Sequence, residues 1–554
     1  MKKPRRADAG ARSLAAIACA CAAALTACGS SDSSGSADDR SRTLTAYFAA
    51  SPDFVDPALT YTARGWTALW TTYTPLLTYR HEAGLAGTEL IPGLAESLPR
   101  ISPDGKTYRL RLRRGLRYSD GTPARASDFE HAIKRVLNLG SGGSWAYLPI
   151  AGAPEYLKAR KPDGDISGIE TDDAGGAITI RLTRSVGSFA DALALPFAAL
   201  VPSTTPFENA TSDPPPGIGA FKVASSVPNR SLTLVRDRSF RGLPGVPVAK
   251  LDRVEVKVVT NQHRQIEDVI DNKVDWVQSP PPPDQMTLVE QRAKGRFEPF
   301  VLNSLAYVFL NHRVAPFDDE RVRKAVAYAV DRRAVVRLFG GLLRTTCNFL
   351  PPNMQGYERL DPCPYGDPDG APDVERAKAL IREAGADGAA VTVWGSNDAV
   401  AAPVTQYLAD AFNAIGLDAT PKLVDASTYR QTVGNEKTRA QAGFGQVVSD
   451  FPHPSNLMSL VTGNGIQPTN SLNWGNVDNP RINALADRAD AMPDLARAAP
   501  DYAQIDRLLV EDADLVPLGN FELAKLVSER VDFDSFIDHP VFSGDLSLLT
   551  FRAP

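Results

Sequence analysis

Histidine and cysteine are both scarce in this chain, at six and five residues among 554. The histidines (His81, His131, His263, His312, His453, His539) are scattered, and neither an HExxH nor a GxSxG segment occurs, so zinc-hydrolase and serine-elbow readings have no support. Gly105-Lys106-Thr107 mimics the end of a phosphate loop, but Arg100 stands where that loop requires its first glycine. Asp367-Pro368-Asp369-Gly370 imitates a calcium turn without the closing glutamate, and reads as a solvated turn. No metal and no cofactor is expected, and the chain is read as a non-enzyme. Basic residues are not in excess: the formal charge is −5, which argues against a nucleic-acid partner. Long apolar runs are missing after the first 28 residues, and no internal repeat is visible.

What is present begins with Lys2, Lys3, Arg5, Arg6 and Arg12, followed by an apolar run over residues 14–27. Basic then apolar is the order of a secretory signal, and the run falls short of the roughly 20 residues a helix needs to cross a bilayer. It closes on Leu25-Thr26-Ala27-Cys28, which resembles the bacterial lipobox, whose cysteine thiol is lipidated before cleavage. Residues 1–27 are therefore expected to be a lipoprotein signal peptide and Cys28 a lipid anchor at the outer face of the cell membrane. The Ser-, Gly- and Asp-rich residues 28–42 are expected to form a flexible tether. Losing the leader removes five basic residues and one acidic one and leaves a formal charge of −9. Cys19 and Cys21 leave with it, so Cys347 and Cys363 remain as a pair in an oxidising compartment. A disulfide is the natural reading, since no CxxC spacing exists and no histidine lies between them.

From Leu44 the chain alternates short apolar runs with turns, an α/β pattern. Alternating strands are predicted at 107–112, 177–183, 231–236 and 252–259. A helix is predicted at 319–330, burying Val322, Ala325, Val326 and Ala329 and showing Arg321, Arg323 and Lys324 to water. Residues 391–424 read as strand, helix, glycine stop at Gly416 and parallel strand, with the loop Gly395-Ser396-Asn397-Asp398 where open α/β sheets tend to hold ligands.

Several segments, taken in order, resemble the family 5 extracellular solute-binding proteins, the oligopeptide and dipeptide binders of ABC importers. They are Asp56-Pro57-Ala58, Tyr73-Thr74-Pro75-Leu76-Leu77, Pro92-Gly93-Leu94-Ala95-Glu96-Ser97, Ser102-Pro103-Asp104-Gly105-Lys106-Thr107-Tyr108, the run from Leu112 through Gly115-Leu116-Arg117-Tyr118-Ser119-Asp120-Gly121-Thr122-Pro123, Gly217-Ile218-Gly219, and Arg321-Val322-Arg323-Lys324-Ala325-Val326. Most of these describe turns rather than a ligand site. The resemblance implies an α/β, two-lobed periplasmic-binding-protein-like fold of class II type. Lobe I would comprise 43–80, 205–302 and 518–554, an extra subdomain 80–204, and lobe II 303–517.

It also implies a site. In Val447-Val448-Ser449-Asp450-Phe451-Pro452, the strand residues Val447 and Val448 match the one that pairs with a peptide ligand's backbone. Asp450 matches the aspartate that receives the peptide's amino terminus, while read by itself it is equally a turn aspartate before Pro452. Tyr61, Thr62 and Ala63 match the opposing ligand-pairing strand. Trp394 and Trp474 are candidate pocket walls or plain core. No lysine or arginine can be assigned to a ligand's carboxyl end. The partners implied are an ABC permease, its ATPase subunits and a peptide or similar small solute, with the protein acting as a monomer; sugars, metal chelates and other cationic molecules are alternatives within the same fold.

Overall fold

The structure, a computed structural model, describes residues 42–553. The signal peptide, Cys28 and the tether up to residue 41 lie outside the described residues.

Three sheets organise the chain. The first has strand order Trp276–Val277, Thr43–Phe48, Arg253–Val258, Ser231–Arg236, Phe221–Val227. Thr43–Phe48 runs parallel to both of its neighbours, and alternation decides its facing: Leu44, Ala46 and Phe48 enter one core with Leu232, Leu234, Val254 and Val256. A second sheet (Arg100–Ile101, Thr107–Arg111, Ala177–Arg181, Ile169–Asp172) packs with helix Ser127–Asn138 around Tyr108, Leu110, Phe129, Ile133, Ile178 and Ile180.

The third sheet is centred on Ser304–Leu310, flanked by Ala442–Val448 and Leu515–Leu526, with Ala390–Ser396 and Asp418–Val424 beyond. All seven residues of Ser304–Leu310 are buried because both faces are covered: Ala306, Val308 and Leu310 meet one core, Leu305, Tyr307 and Phe309 another. Helix Glu320–Ala329, capped by Asp319, packs on the first of these faces. Arg323, expected in water, is instead buried. It donates to the carbonyls of Phe317, just before the helix, and Asp512, and lies 3.5 Å from Asp514; the last two come from a distant segment that the helical period could not disclose.

Two chain segments join the lobes side by side. Leu515–Leu526 pairs first with Ser304–Leu310 and then, from Glu522 to Leu526, with Phe297–Val301; Val527 goes on to bridge Trp276 of the first sheet. The predicted strand–helix–strand unit is present as Ala390–Ser396, Ala401–Ala414 and Asp418–Val424, with the strands parallel and Gly416 at φ +106°. Cys347 and Cys363 form a disulfide, their Cα atoms 6.1 Å apart.

Candidate ligand-binding site

Strand Ala442–Val448 pairs along its whole length with Ser304–Leu310, but on its other side only Ala442 and Gly443 find a partner, in Val393 and Trp394. Among the described residues no strand covers that edge from Phe444 to Val448. An unpaired edge offers backbone N–H and C=O groups to an extended ligand. Two features hold it in place. The Tyr429 hydroxyl bonds the Phe444 carbonyl at 2.8 Å, and the Tyr307 ring lies so close to Gly445 that a Cβ there would sit 2.4 Å from it. Val447 is half-buried, Val448 exposed.

The edge runs into Asp450. Its Oδ2 accepts from the Tyr61 hydroxyl at 3.1 Å and from Asn456 Nδ2 at 3.4 Å, and its own amide donates to Asn456 Oδ1 at 3.0 Å. Oδ1 has no hydrogen-bond partner among the described residues. Burial pushes this carboxyl above the usual carboxylate range, partly offset by the bonds from Asn456 and Tyr61 and by the positive charge of Arg430. A carboxylate that pays for desolvation without an ion pair gains most from a cation brought to it.

Tyr61 comes from the other side of the cleft, 389 residues earlier. Its ring packs on Trp66 and Phe197 and against Gly142, and its hydroxyl also accepts from Trp145 Nε1 at 3.2 Å. Burial first, then the Asp450 charge, hold its phenol protonated. Asp53 fixes the segment by accepting from the Tyr61 amide at 2.7 Å and from the Thr62 hydroxyl at 2.8 Å.

The expected opposing strand is not formed. Thr62 caps helix Ala63–Trp70 by accepting from the Gly65 amide, and Ala63 is that helix's first residue. A helix start directs its backbone along the helix axis, so Tyr61 contributes a side chain here rather than a strand edge.

Trp394 and Trp474 lie in the core of the second lobe. Trp474 donates from Nε1 to the Ser471 carbonyl and packs edge-on against Phe309 and Tyr429, while Trp394 lies under the Lys422 ammonium. The loop after Ala390–Ser396 is also closed to ligand, because Asp398 accepts from the amides of Val400 and Ala401 and so occupies the helix start itself. His453 is buried, which depresses its pKa to about 3 and keeps the imidazole neutral. No group of three His, Cys, Asp or Glu side chains is placed to hold a metal ion among the described residues.

Two contributors escaped the sequence reading. Trp145, 40% exposed, carries no motif. Arg430 lies on the short helix Tyr429–Val433, which Tyr429 ties to the free edge; its guanidinium is exposed, makes no side-chain hydrogen bond or ion pair among the described residues, and acts electrostatically on both Asp450 and Tyr61.

The chain is similar to several known proteins. The chain is 27% identical over 382 residues to the dipeptide-binding protein of Escherichia coli (strain K12), covering 65% of this chain and 66% of that one, slightly under two thirds of its length. It is 24% identical over 490 residues to the probable D,D-dipeptide-binding periplasmic protein of the same organism, covering 86% and 88%. Among solved structures, clavulanic acid biosynthesis oligopeptide binding protein 2 superposes with a TM-score of 0.83 at 27% identity, covering 93% of this chain and 96% of that one. The family model for bacterial extracellular solute-binding proteins, family 5 Middle, matches residues 89–468. With more than half its length matched, the chain belongs to the family 5 bacterial extracellular solute-binding proteins, a solute-binding and non-enzymatic family.

Proposed function

We propose that this protein captures a short peptide, or a similar amine-bearing solute, and delivers it to an ABC import permease driven by its ATPase subunits. The observation that carries this is Asp450: a partly buried carboxylate with one oxygen unbonded among the described residues, at the end of a strand edge that no described strand covers from 444 to 448. The ligand's ammonium pairs with Asp450, its backbone runs along 445–448, and its carboxylate falls within the field of Arg430. The similar proteins are dipeptide and oligopeptide binders, which supports the same ligand class. A second reading, a compact non-peptide amine, is favoured by the helix start at Ala63, which leaves only one wall with a strand edge.

The lobes are proposed as 43–80 with 205–302 and 518–554, the extra subdomain 80–204, and 303–517, with closure about the paired strands at 297–301 and 522–526. Cys28 is proposed as a lipid anchor on the outer face of the membrane, holding the receptor near its permease by a short tether and so raising its local concentration there. Mass spectrometry of the membrane-bound protein should find a chain that begins at Cys28 with a lipid on its thiol, and an unmodified Cys28 would count against the anchor.

The ligand is tested by screening residues 43–554 against dipeptides, tripeptides, N-acetylated dipeptides and uncharged sugars by melting temperature. Free-amine peptides raise it through mass action and their N-acetyl forms do not. Stabilisation by sugars alone would overturn the assignment.

A further inference from the structure

The outer face of the extra subdomain's sheet concentrates positive charge. Residues 100–117 hold seven basic residues and one acidic one, in a chain whose formal charge is −5. Alternation along Thr107–Arg111 buries Tyr108 and Leu110 and turns Arg109 and Arg111 outward. Arg100, on the neighbouring strand, is the direct antiparallel partner of Arg109. All three arginines are exposed, and their side chains make no hydrogen bond or ion pair among the described residues.

Most carboxylates around this face are engaged elsewhere. Asp104 accepts from Ser102 Oγ and the Lys106 amide, Glu170 pairs with Arg181 at 2.7 Å, and Asp172 accepts from the amides of Ala174 and Gly175. Glu96 is exposed and its amide donates to the Arg111 carbonyl, but its carboxylate makes no ion pair among the described residues. Like charges set directly opposite each other destabilise a sheet. Direct partners lie about 5 Å apart at Cβ and residues two apart along a strand about 7 Å, so three guanidinium groups share one small area that the fold leaves unneutralised. An external anion would neutralise them. Leu98, 48% exposed and two residues before Arg100, sets an apolar group beside the charges.

We infer that this face docks on a bilayer bearing anionic phospholipid headgroups. Guanidinium groups match phosphate oxygens with paired N–H bonds, and Leu98 suits the boundary between headgroups and acyl chains. The inference rests on the reading of Cys28 as a lipid anchor, which brings the domain to such a surface. Docking would hold the tethered receptor with its subdomain toward the membrane, and so narrow the orientations in which it meets a permease.

The test is flotation of residues 43–554, which contain every core of the fold, with vesicles of phosphatidylcholine alone and of phosphatidylcholine mixed with phosphatidylglycerol. Wild-type protein should bind the mixed vesicles at low salt and not the neutral ones, and added salt should release it. Each basic residue near an anionic surface is worth about fivefold in affinity, so Arg100→Gln/Arg109→Gln/Arg111→Gln should lose about a hundredfold. The same charge change at Arg238, Arg359 and Arg497, exposed elsewhere on the fold, should lose less than about threefold. Arg109→Gln alone should melt no lower than wild type, because it removes a like-charge pair, so its lost binding is not lost folding. Equal binding to both vesicles, equal loss in the control variant, or binding to neither overturns the inference. Because this chain lacks Cys28, the anchor itself is then untouched and is read separately by mass spectrometry. If polyglutamate binds the arginines and neither vesicle does, the face serves an acidic protein segment and the inference is likewise overturned.

Discussion

Replacing Arg135 with Met should be among the most damaging single substitutions in the first lobe. Arg135 and Asp56 are both fully buried, and the guanidinium meets the carboxylate through two bonds, 3.0 Å to Oδ1 and 2.8 Å to Oδ2. The same side chain donates to the carbonyls of Pro206 and Glu208. Asp56 also accepts from the amides of Ala58 and Ala210. Methionine fills similar volume but leaves Asp56 with two amide donors and no counter-charge, and removing one member of such a buried pair costs about 3–5 kcal/mol. The double variant Asp56→Asn/Arg135→Met removes the orphaned charge, so it should be less destabilised than the two single effects added, by about 1–3 kcal/mol of coupling. Urea unfolding followed by tryptophan fluorescence measures both. A loss below about 1 kcal/mol for Arg135→Met, or strict additivity in the double variant, would refute the reasoning. The damage should reach the site, since the Asp56 carbonyl accepts from the amides of Leu59 and Thr60, directly before Tyr61.

Asp450→Asn should weaken an amine ligand about thirtyfold or more, the worth of a charge-assisted bond, measured by calorimetry. Because burial raises the Asp450 pKa in the fold, the stability this group contributes is present below the unfolded pKa and lost as pH rises through the folded value; the asparagine variant should therefore be no less stable than wild type at pH 7 without ligand. By the same sign, amine affinity should begin to fall on acidification at a pH above the ordinary carboxylate range, and a flat affinity down to pH 4 would contradict it. Tyr61→Phe should cost only about 0.5–1.5 kcal/mol of ligand affinity, because Oδ1 of Asp450 still serves the amine; outright loss of binding would place the hydroxyl on the ligand itself. Replacing both Cys347 and Cys363 with Ser should cost about 3 kcal/mol of stability by opening a loop of 16 residues' separation, and an unchanged urea midpoint would count against that account.

Much of the scaffold was legible because local patterns decide it. The alternation at 107–111 and 253–258, the capped helix at 320–329 and the glycine stop at Gly416 each follow from neighbouring residues. Asp450 could be named from its motif as a candidate, with a turn aspartate as the equal alternative. The chemistry around it was not, because every partner arrives from elsewhere in the chain. Tyr61 could be named as a wall residue, but its use of the hydroxyl, and the cap that stops the segment from forming a strand, depend on Asp53 and on Thr62 facing the Gly65 amide. Trp394 and Trp474 show what the sequence left open: a tryptophan at a strand end or beside a glycine can be stacking surface or core, and only the fold shows Phe309 and Tyr429 packed edge-on against Trp474 and both tryptophans buried. Arg430 and Trp145 sit in segments without any periodic or motif signal.

The placement of Tyr61 bears on how binding and closure are joined. If the Tyr61 hydroxyl took both carboxylate oxygens, an incoming ammonium would have to break the bond across the cleft, and ligand affinity would be reduced by whatever that bond contributes to closure. Instead Tyr61 and Asn456 share Oδ2. An ammonium can add at Oδ1 while the bond between the two sides stays made, so the two stabilisations sum rather than compete. The ligand then shifts the population toward the closed form by its full differential affinity. On the same reading a solute without an amine would be disfavoured, because closing the cleft around it would take water from Oδ1 while Tyr61 and Asn456 serve only Oδ2. On the proposed amine reading, selection for a cation and reporting of its arrival would thus depend on one carboxyl group with its two oxygens in different use.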